Sequence, residues 1–341
     1  MNATRRHGTR RGTRRGTRRG ITRALTTAVA VATLGALGAC SSVTYEATPV
    51  PVKTPAKSSS APAVTPQACD NATQSYSPLP SLPSRAEITD ARMRDILTRG
   101  FLRVGVSADT YLFGANDPAS GKLQGFDIDM ARAMAKALFG DPNKVQLRVI
   151  TAADRLPLLE AGELDLVARN MSMTCDRWQK IGFSAEYYRS GQKVLVGRNL
   201  PNAATLSLQD LKGKRVCAPT GTTSLTKLQQ VQGPVVVTAP THTACLVLFQ
   251  QGKADAITGD DTVLAGLAAQ DPNTVVTKAP AITVEPYGLG MNKADVYLAR
   301  YVNRVIADLE ASGEWTSMYD RWLRGPLGPA PKPPTPVYGR A

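Results

Sequence analysis

The sequence is poor in the side chains that support hydrolytic and metal chemistry. It contains two histidines, of which only His242 lies beyond the basic N-terminal segment, and it has no C-x-x-C pair. A Ser/His/Asp triad or a histidine metal cluster is therefore hard to build, and zinc or thiol-redox sites have little support. We expect no metal ion and no cofactor. His242 follows Thr241 at a predicted helix start, and we expect it at the surface.

The chain also lacks a phosphate-binding loop and a long apolar run. The segment Gly221-Thr222-Thr223 does not fit G-x-x-x-x-G-K-[ST], which argues against a nucleotide-binding protein. The apolar stretch near the N-terminus, residues 25–38, is too short to span a bilayer comfortably.

Positive charge is concentrated at the N-terminus. Nine arginines lie within the first 23 residues, and without them the formal charge of +14 falls to +5. A basic nucleic-acid arm can have this pattern. A basic segment that is followed by an apolar stretch and small residues is instead typical of a secretory signal. We therefore expect no nucleic-acid partner.

The apolar stretch ends at Leu37-Gly38-Ala39-Cys40, which resembles a bacterial lipobox. The resemblance implies a lipoprotein signal peptide over residues 1–39, cleavage before Cys40 and diacylglycerol on the Cys40 sulfur. We expect an extracytoplasmic protein that this lipid anchors to the cell membrane. The segment Thr17-Arg18-Arg19 loosely resembles a twin-arginine signal, so the export route stays open.

Both flanks of the central part have unusual compositions. Residues 40–83 are rich in proline, serine, threonine and alanine, and residues 326–341 are again rich in proline. We expect a disordered tether and an extended tail, because neither segment can bury enough apolar surface to fold. An even number of cysteines outside the cell indicates two disulfides, and the sequence leaves three pairings open among Cys69, Cys175, Cys217 and Cys245.

Between these flanks, short apolar runs alternate with segments of helical pattern. Strands are predicted at residues 101–106, 145–150, 164–168, 193–197, 216–218, 235–238, 254–258, 275–277 and 287–291. A capping box of Ser84 and Glu87 predicts a first helix that continues to Thr98. The alternation predicts an α/β fold with mostly parallel sheets and helices on both faces.

Polar residues directly follow several predicted strands, where ligands bind in such sheets: Asn170, Thr222 and Asp260. Thr174 can cap the helix that follows, and Arg177 stands where a capping box would place Glu or Gln. A cation there faces the positive end of the helix dipole, which favours a bound anion held by the guanidinium and backbone N–H groups. The alternative is an exposed Arg177.

These segments resemble the periplasmic amino-acid-binding proteins, the extracellular solute-binding protein family 3, whose members feed ABC importers. The chain is similar to the glutamine/glutamate-binding type of actinobacteria. The matching segments keep the family's order over about residues 92–325 and are GFDID at 125–129, SMTCDR at 172–177, FS at 183–184, GK at 213–214, GTT at 221–223, ADA at 254–256 before Asp260, and GEW at 313–315 before Trp322.

The resemblance implies a two-lobe periplasmic-binding-protein fold of type II, with the ligand in the cleft. Lobe 1 would comprise residues 84–190 plus 286–325, and lobe 2 residues 191–285, with hinges near residues 190–193 and 283–287. This division favours the disulfide Cys217–Cys245, because both cysteines then lie in lobe 2. The remaining pair, Cys69–Cys175, would attach the N-terminal segment to lobe 1.

The resemblance also implies which residues bind the ligand. Arg177 would clamp the α-carboxylate of an amino acid, as a guanidinium does bidentately. Ser172 and the backbone N–H groups of Thr222-Thr223 would complete that site. Asp260 would pair with the α-ammonium, helped by the carbonyl of Asn170. The threonines and Asp260 could instead be plain helix caps.

Arg177 and Asp260 balance the charges at the two ends of an α-amino acid. Two further arginines, Arg155 and Arg169, are then left without a ligand group of opposite charge. A buried unpaired cation is costly, and Arg155 matches a position where acidic-amino-acid binders carry arginine. Our hypothesis is therefore L-glutamate or L-aspartate, with glutamine and asparagine as weaker ligands. Alternatively, Arg155 is exposed and Arg169 pairs with a structural acid. Relatives often stack an aromatic ring where Ala152 stands, and Tyr111 or Phe113 could supply one here.

The sequence therefore predicts a monomeric binding protein, not an enzyme, that delivers a free acidic or amide amino acid to the membrane subunits of an ABC importer. Two other functions stay open. A loaded binding lipoprotein can dock on a membrane sensor that signals. The fold also hosts dehydratases and lytic transglycosylase modules, which would need a general acid in the pocket.

Overall fold

We describe the protein from a computed structural model, which describes residues 69–341. The expected signal peptide, Cys40 and the tether as far as residue 68 lie outside the described residues. Across residues 69–341, no helix combines the length and apolar character needed to cross a membrane.

The described part alternates strands and helices. The strands are β1 Gln74–Ser75, β2 Leu102–Val106, β3 Asp109–Thr110, β4 Gly114–Asn116, β5 Leu123–Gln124, β6 Val145–Val149, β7 Leu166–Val167, β8 Ile181–Phe183, β9 Tyr188–Gly197, β10 Arg215–Pro219, β11 Val235–Ala239, β12 Ala256–Asp260, β13 Thr274–Val276, β14 Val284–Tyr287, β15 Gly290–Asn292 and β16 Val337–Tyr338. The α-helices are α1 Ala91–Arg99, α2 Phe126–Phe139, α3 Arg155–Glu160, α4 Cys175–Lys180, α5 Thr223–Gln230, α6 His242–Gln250, α7 Asp261–Gln270, α8 Val296–Ala311, α9 Glu314–Trp322 and α10 Arg324–Leu327.

Lobe 1 is built on a five-stranded sheet in the order β6-β2-β7-β15-β8. β2 runs parallel to both of its neighbours, whereas β15 is antiparallel to β7 and to β8. Leu102, Val104 and Val106 of β2 are almost completely buried in the core of this lobe. The carboxyl ends of the three parallel strands lie at one edge of the sheet, and ligands bind at this edge in such sheets.

Lobe 2 is built on a six-stranded sheet in the order β11-β10-β12-β9-β13, with β14 also paired to β9. β10 is parallel to β11 and β12, and β9 is antiparallel to β12 and β13. Successive residues point to opposite faces, so Val216 and Ala218 join one core and Cys217 joins the other. Helix α5 covers the first face, and α6 and α7 cover the second. Burial on both faces explains why these strands are apolar runs.

Two crossing segments connect the lobes as an antiparallel ribbon. β9 and β14 pair with Tyr188 opposite Tyr287 and Gly191 opposite Val284. The expected hinge positions coincide with this ribbon, because residues 190–193 lie in β9 and residues 284–287 of the expected segment 283–287 form β14. β9 then continues to Gly197 in the sheet of lobe 2. Because it begins at Tyr188, it starts earlier than the predicted strand at residues 193–197.

The first helix begins at Ala91 and not at Ser84 as predicted. The backbone N–H of Ser84 does donate to Glu87 Oε2, at 2.8 Å, but this capping box closes only a turn. The helix is capped instead by Asp90, whose side chain accepts from the backbone N–H of Met93 at 2.9 Å. The turn that follows the Asp90 cap buries Met93, and the next turn buries Ile96. The cap and this burial together determine where the helix forms.

Both terminal segments of the described part are more ordered than predicted. β1 pairs in parallel with β16, Gln74 opposite Val337. This pairing corrects the expectation of a disordered tether for residues 69–83, and it fixes the extended tail, residues 326–341, at Val337–Tyr338. Tyr76 and Leu79 are buried in the core of lobe 1. Composition could not reveal this pairing, because each segment is stabilised by contacts with a distant part of the chain.

The structure contains both of the disulfides that the resemblance favoured. Cys69–Cys175, with Cα atoms 6.0 Å apart, connects the N-terminal segment to the first residue of α4. Cys217–Cys245, with Cα atoms 5.6 Å apart, connects β10 to α6 within lobe 2.

Candidate ligand-binding site

The carboxyl ends of parallel strands from both lobes meet at one cavity. Lobe 1 contributes the loops after β6 and β7, and lobe 2 contributes the loops after β10 and β11 and the end of β12. The lining residues are Thr110, Ala152, Arg155, Arg169, Asn170, Ser172, Arg177, Pro219, Thr222, Thr223, Ser224, Thr241, His242 and Asp260. Every ligand-binding residue predicted from the sequence, except Tyr111, therefore lies at this cavity.

Tyr111 does not line the cavity, so the prediction of a ring at the ligand is wrong for this residue. Its side chain is about half exposed, at 47%. The chain turns sharply next to it, because Leu112 has a φ of 78°. Phe113 is completely buried against Phe126 in the core of lobe 1. Neither ring therefore lies at the cavity beside Ala152, where the resemblance implied an aromatic.

Arg155 is buried, with 3% of its surface exposed, which contradicts the alternative of a solvent-exposed side chain. Its guanidinium donates to the carbonyl oxygens of Ala152 at 2.9 Å, Arg169 at 3.1 Å, Asn170 at 3.4 Å and Gly221 at 2.9 Å. Burial lowers its pKa well below the ordinary value, and the neighbouring arginines lower that pKa further. Carbonyl dipoles alone compensate a buried cation poorly.

Arg177 is also buried, at 8% exposure, so the alternative of an exposed arginine does not hold. Its Nη1 donates to the Ser172 carbonyl at 2.6 Å and its Nη2 to the Gly221 carbonyl at 3.3 Å. The hydroxyl of Thr174 accepts from the backbone N–H of Arg177 at 3.3 Å, which is the predicted helix cap. Burial lowers the pKa of Arg177, whereas Glu285 and Asp260 act in the opposite direction.

Arg169 completes a group of three buried guanidiniums. Its Nε donates to the Ile150 carbonyl at 2.9 Å, and 7% of the residue is exposed. Burial lowers its pKa, and Asp109 and Asp127 partly oppose that shift. Within residues 69–341, no ion pair at 4.0 Å or less includes any of these three arginines, so Arg169 is not paired with a structural acid there.

Asp260 provides a carboxylate on the wall that lobe 2 contributes. The Tyr287 hydroxyl donates to its Oδ2 at 2.5 Å, and the Ser224 hydroxyl lies 3.5 Å from its Oδ1. Burial raises the pKa of Asp260 to about 8, and the nearby carboxylate of Glu285 acts in the same direction. A carboxylate with hydroxyl partners only is well suited to receive a cation.

The threonines at the start of α5 are partly used within the protein. The Thr222 hydroxyl accepts from the Leu225 backbone N–H at 3.1 Å and donates to the Pro219 carbonyl at 2.7 Å, so its side chain is a helix cap. The Thr223 hydroxyl donates to Glu285 Oε2 at 2.8 Å and thereby connects α5 to β14. Their side chains therefore hold the start of α5 in place at the cavity.

The expectation that His242 lies at the surface is wrong, because this residue lines the cavity. Its Nε2 is buried and has no hydrogen-bond partner among the described residues. Burial, with Arg169 second, lowers its pKa to about 4, so the ring is neutral at pH 7. Thr241 and His242 lie just after β11, with only Pro240 between, so the rule that selected Asn170, Thr222 and Asp260 could also have found them.

Gly221 brings the two lobes into contact at the cavity. Its carbonyl accepts hydrogen bonds from both Arg155 and Arg177, and a Cβ at this glycine would lie 2.7 Å from the Ala153 Cα. The cavity has a volume of only about 20 Å³. This volume is room for about one water. An amino acid can enter only when the lobes separate and these guanidiniums leave the Gly221 carbonyl.

Two α/β lobes that are joined by a two-stranded hinge and share a polar cavity define a type II periplasmic-binding-protein fold. The chain belongs to the bacterial extracellular solute-binding proteins, family 3, whose model matches residues 102–325.

Known proteins with related sequences bind amino acids. The ABC transporter glutamine-binding protein of Bacillus subtilis is 32% identical over 222 residues, which are 64% of this chain and 80% of that protein. An L-glutamate/L-aspartate-binding protein of Pseudomonas aeruginosa is 26% identical over 260 residues, 73% of this chain and 85% of that protein. The structure of an ancestral arginine-binding protein bound to glutamine is 31% identical with a TM-score of 0.61, covering 66% of this chain and 98% of that one.

Proposed function

We propose that this protein binds a free acidic or amide amino acid outside the cytoplasm and delivers it to the membrane subunits of an ABC importer. The observation that carries the proposal is one cavity that faces three buried guanidiniums with a single buried carboxylate at Asp260. This charge pattern complements a zwitterion that has a second anionic group.

Two of these charges suit the ends of an α-amino acid. The planar guanidinium of Arg177 can take the α-carboxylate bidentately in place of the carbonyls of Ser172 and Gly221. Asp260, with hydroxyl partners only, can pair with the α-ammonium. The carbonyl of Asn170 lies at the same cavity and can accept a further ammonium proton.

The remaining polar groups suit a distal carboxylate. Arg155 and Arg169 supply positive charge, and the neutral ring of His242 can offer one N–H. We therefore propose L-glutamate or L-aspartate as the preferred ligand. Glutamine and asparagine keep the shape but lose the charge, so they should bind more weakly. The relatives are named for glutamine and for glutamate/aspartate, which supports an acidic or amide amino acid as the ligand. The order between the two kinds rests on the charges at the cavity.

We also propose that the mature protein is a monomeric lipoprotein, attached through Cys40 to the outer face of the cell membrane. The lipobox-like residues 37–40 and the preceding apolar stretch support this part. A membrane sensor is the second candidate partner, because the same binding chemistry would serve it. Pull-down of crosslinked membrane partners by the intact lipoprotein separates the two, since an importer and a sensor are different proteins.

Calorimetry on a soluble fragment that begins after Cys40 tests the ligand. We expect binding in the order glutamate and aspartate, then glutamine and asparagine, with no measurable binding of histidine or arginine. We expect Arg155→Ala to weaken glutamate binding by about 2–5 kcal/mol, because it removes a buried charge partner of the distal carboxylate.

The matched control for that variant is Arg148→Ala, which removes an exposed arginine of lobe 1 that pairs with Glu163. This control should leave the affinity unchanged. Preferential binding of basic amino acids, or an Arg155→Ala variant with intact glutamate affinity, would contradict the proposed distal site.

We propose no enzymatic activity. Within residues 69–341, no group of three or more histidine, cysteine, aspartate and glutamate side chains could hold a metal ion. Chromatography of amino acids and of prephenate-like acids after incubation with the protein should recover them unchanged. A new product that disappears with the Asp260→Asn variant would contradict this statement.

A further inference from the structure

The two ends of the described chain meet on lobe 1 in a feature that we call the terminal clasp, residues 69–76 together with residues 337–340. Its two strands, β1 and β16, pair in parallel. The backbone N–H of Arg340 donates to the Ser75 carbonyl at 3.0 Å. The Ser75 hydroxyl donates to the Phe183 carbonyl at 2.9 Å, which attaches the clasp to β8.

The terminal clasp contacts α4 through three different interactions. Cys69 forms its disulfide with Cys175, the first residue of the helix. The indole N–H of Trp178 donates to the Ala72 carbonyl at 2.7 Å. The guanidinium of Arg340 lies 3.7 Å from the centre of the Trp178 ring, a cation–π contact.

Arg340 holds the clasp together while it covers the indole ring. Its Nη2 donates to the Asn71 carbonyl at 2.7 Å and its Nε to the Gln74 carbonyl at 2.8 Å. One side chain therefore connects the C-terminal segment, the N-terminal segment and Trp178. Its removal would loosen all three at once.

Helix α4 needs such support, because six residues are too few for a helix to be stable by itself. Cys175 and Trp178 are three residues apart and therefore share one face of the helix. Arg177 lies off that face and reaches the cavity. The clasp thus holds the outer side of the helix whose inner side carries the guanidinium.

We propose that the terminal clasp positions Arg177 for the ligand α-carboxylate, with the Cys69–Cys175 disulfide, Trp178 and Arg340 as positioning residues. This inference rests on the proposed role of Arg177. A clasp that merely stabilised lobe 1 would change the melting temperature and leave the ligand affinity alone. A positioning clasp changes affinity in a folded protein, and it does so only through Arg177.

The first test measures L-glutamate affinity by calorimetry on the fragment that begins after Cys40, in Arg340→Ala and in Cys69→Ser/Cys175→Ser. We expect about tenfold weaker binding in each variant, with native circular dichroism at the assay temperature. Arg340→Lys keeps a cation over the ring but loses the planar guanidinium that donates to two carbonyls. It should therefore recover part of the affinity that Arg340→Ala loses. Unchanged affinity in folded Arg340→Ala would overturn the proposal, even if the double serine variant does not fold.

The matched control is Arg300→Ala, because Arg300 attaches the same N-terminal segment to α8 and not to α4. Its Nε donates to the Ser77 carbonyl at 3.1 Å. This variant should lower the melting temperature without a change in glutamate affinity. Equal losses of affinity in Arg300→Ala and Arg340→Ala would contradict a specific effect on α4.

A double-mutant cycle with Arg177→Lys separates this inference from the proposed function. Arg177→Lys alone should weaken binding strongly, and if it does not, the proposed role of Arg177 fails. In that background, Arg340→Ala should add less than about a twofold loss, because the group that the clasp positions is already gone. A full additional loss would show that the clasp does not act through Arg177.

Discussion

The side chain of Asp260 shows what the cavity requires of its ligand. It is a buried carboxyl whose partners in the described structure are two hydroxyls, and burial raises its pKa to about 8. The guanidiniums that share the cavity donate hydrogen bonds to backbone carbonyl oxygens. Each charge thus has neutral partners, and an amino acid can supply the opposite charges that both kinds of residue need.

The raised pKa of Asp260 predicts that binding is coupled to proton release. In the closed, ligand-free state that the structure describes, burial favours the protonated carboxyl, whereas the ligand ammonium stabilises the ionised form. Affinity should therefore fall as pH drops below about 8, by up to tenfold per pH unit, because the proton must leave before the ion pair forms. Calorimetry in buffers of different ionisation enthalpy, between about pH 7 and pH 8, counts the released protons.

That pH window separates Asp260 from other groups near the site. Burial raises the pKa of Asp127 to about 6 and lowers that of His242 to about 4, so both titrate below it. Asp260→Asn should lose most of the affinity together with its pH dependence. Binding without proton release in the unchanged protein would show that Asp260 is ionised before the ligand arrives.

Prediction from sequence worked at residues that follow strands and failed where the backbone turns unexpectedly. Asn170, Thr222 and Asp260 could be placed because the carboxyl ends of parallel strands share one edge. Tyr111 could not, since the left-handed φ of Leu112 redirects the chain after β3. The burial of the His242 ring could not be predicted because it packs against Gly259 of β12, a contact between residues that are distant in sequence.

At the scale of elements, the turn between β10 and α5 brings the two lobes into close contact. Gly221 has a φ of 74°, and a Cβ there would lie 2.7 Å from the Ala153 Cα of lobe 1. Gly221→Ala should therefore hold the lobes apart and weaken glutamate binding by more than about tenfold, a cost typical of a backbone clash. Calorimetry and thermal unfolding of the same sample measure both effects.

Gly213→Ala is the matched control, because this glycine has a φ of 73° and nothing within 4 Å of its Cβ position. Both variants should lose about 1 kcal/mol of folding stability from the positive φ. Only Gly221→Ala should lose affinity. A similar affinity for both variants would mean that the contact with Ala153 does not form in the ligand-bound protein.

The elements that sequence predicts well are those whose signal is local. The sequence predicts β2 at residues 101–106, because an apolar run bounded by glycine indicates a buried strand. The strand spans Leu102–Val106. The small sheet of β3, β4 and β5 was not predicted, since its strands are two or three residues long and polar. The pairing of β1 with β16 depends on residues at opposite ends of the described chain.

At the scale of the whole molecule, the described state is closed. Besides the contact of Gly221 with Ala153, the Thr243 hydroxyl of lobe 2 donates to the Asp109 carbonyl of lobe 1 at 2.7 Å. Closure places three guanidiniums in a small cavity, which costs free energy unless an anion enters with them. The ligand should therefore stabilise closure by supplying the charge that the cavity lacks, which is how binding and domain motion become coupled.

A crystal structure of the fragment that begins after Cys40, grown with L-glutamate, tests the central claim most directly. We predict that the amino acid lies between the lobes, with its α-carboxylate on the guanidinium of Arg177 and its ammonium on the carboxylate of Asp260. Its distal carboxylate should face Arg155 and Arg169. Glutamate bound outside this cavity, or seated with no contact to either Arg177 or Asp260, would contradict the account.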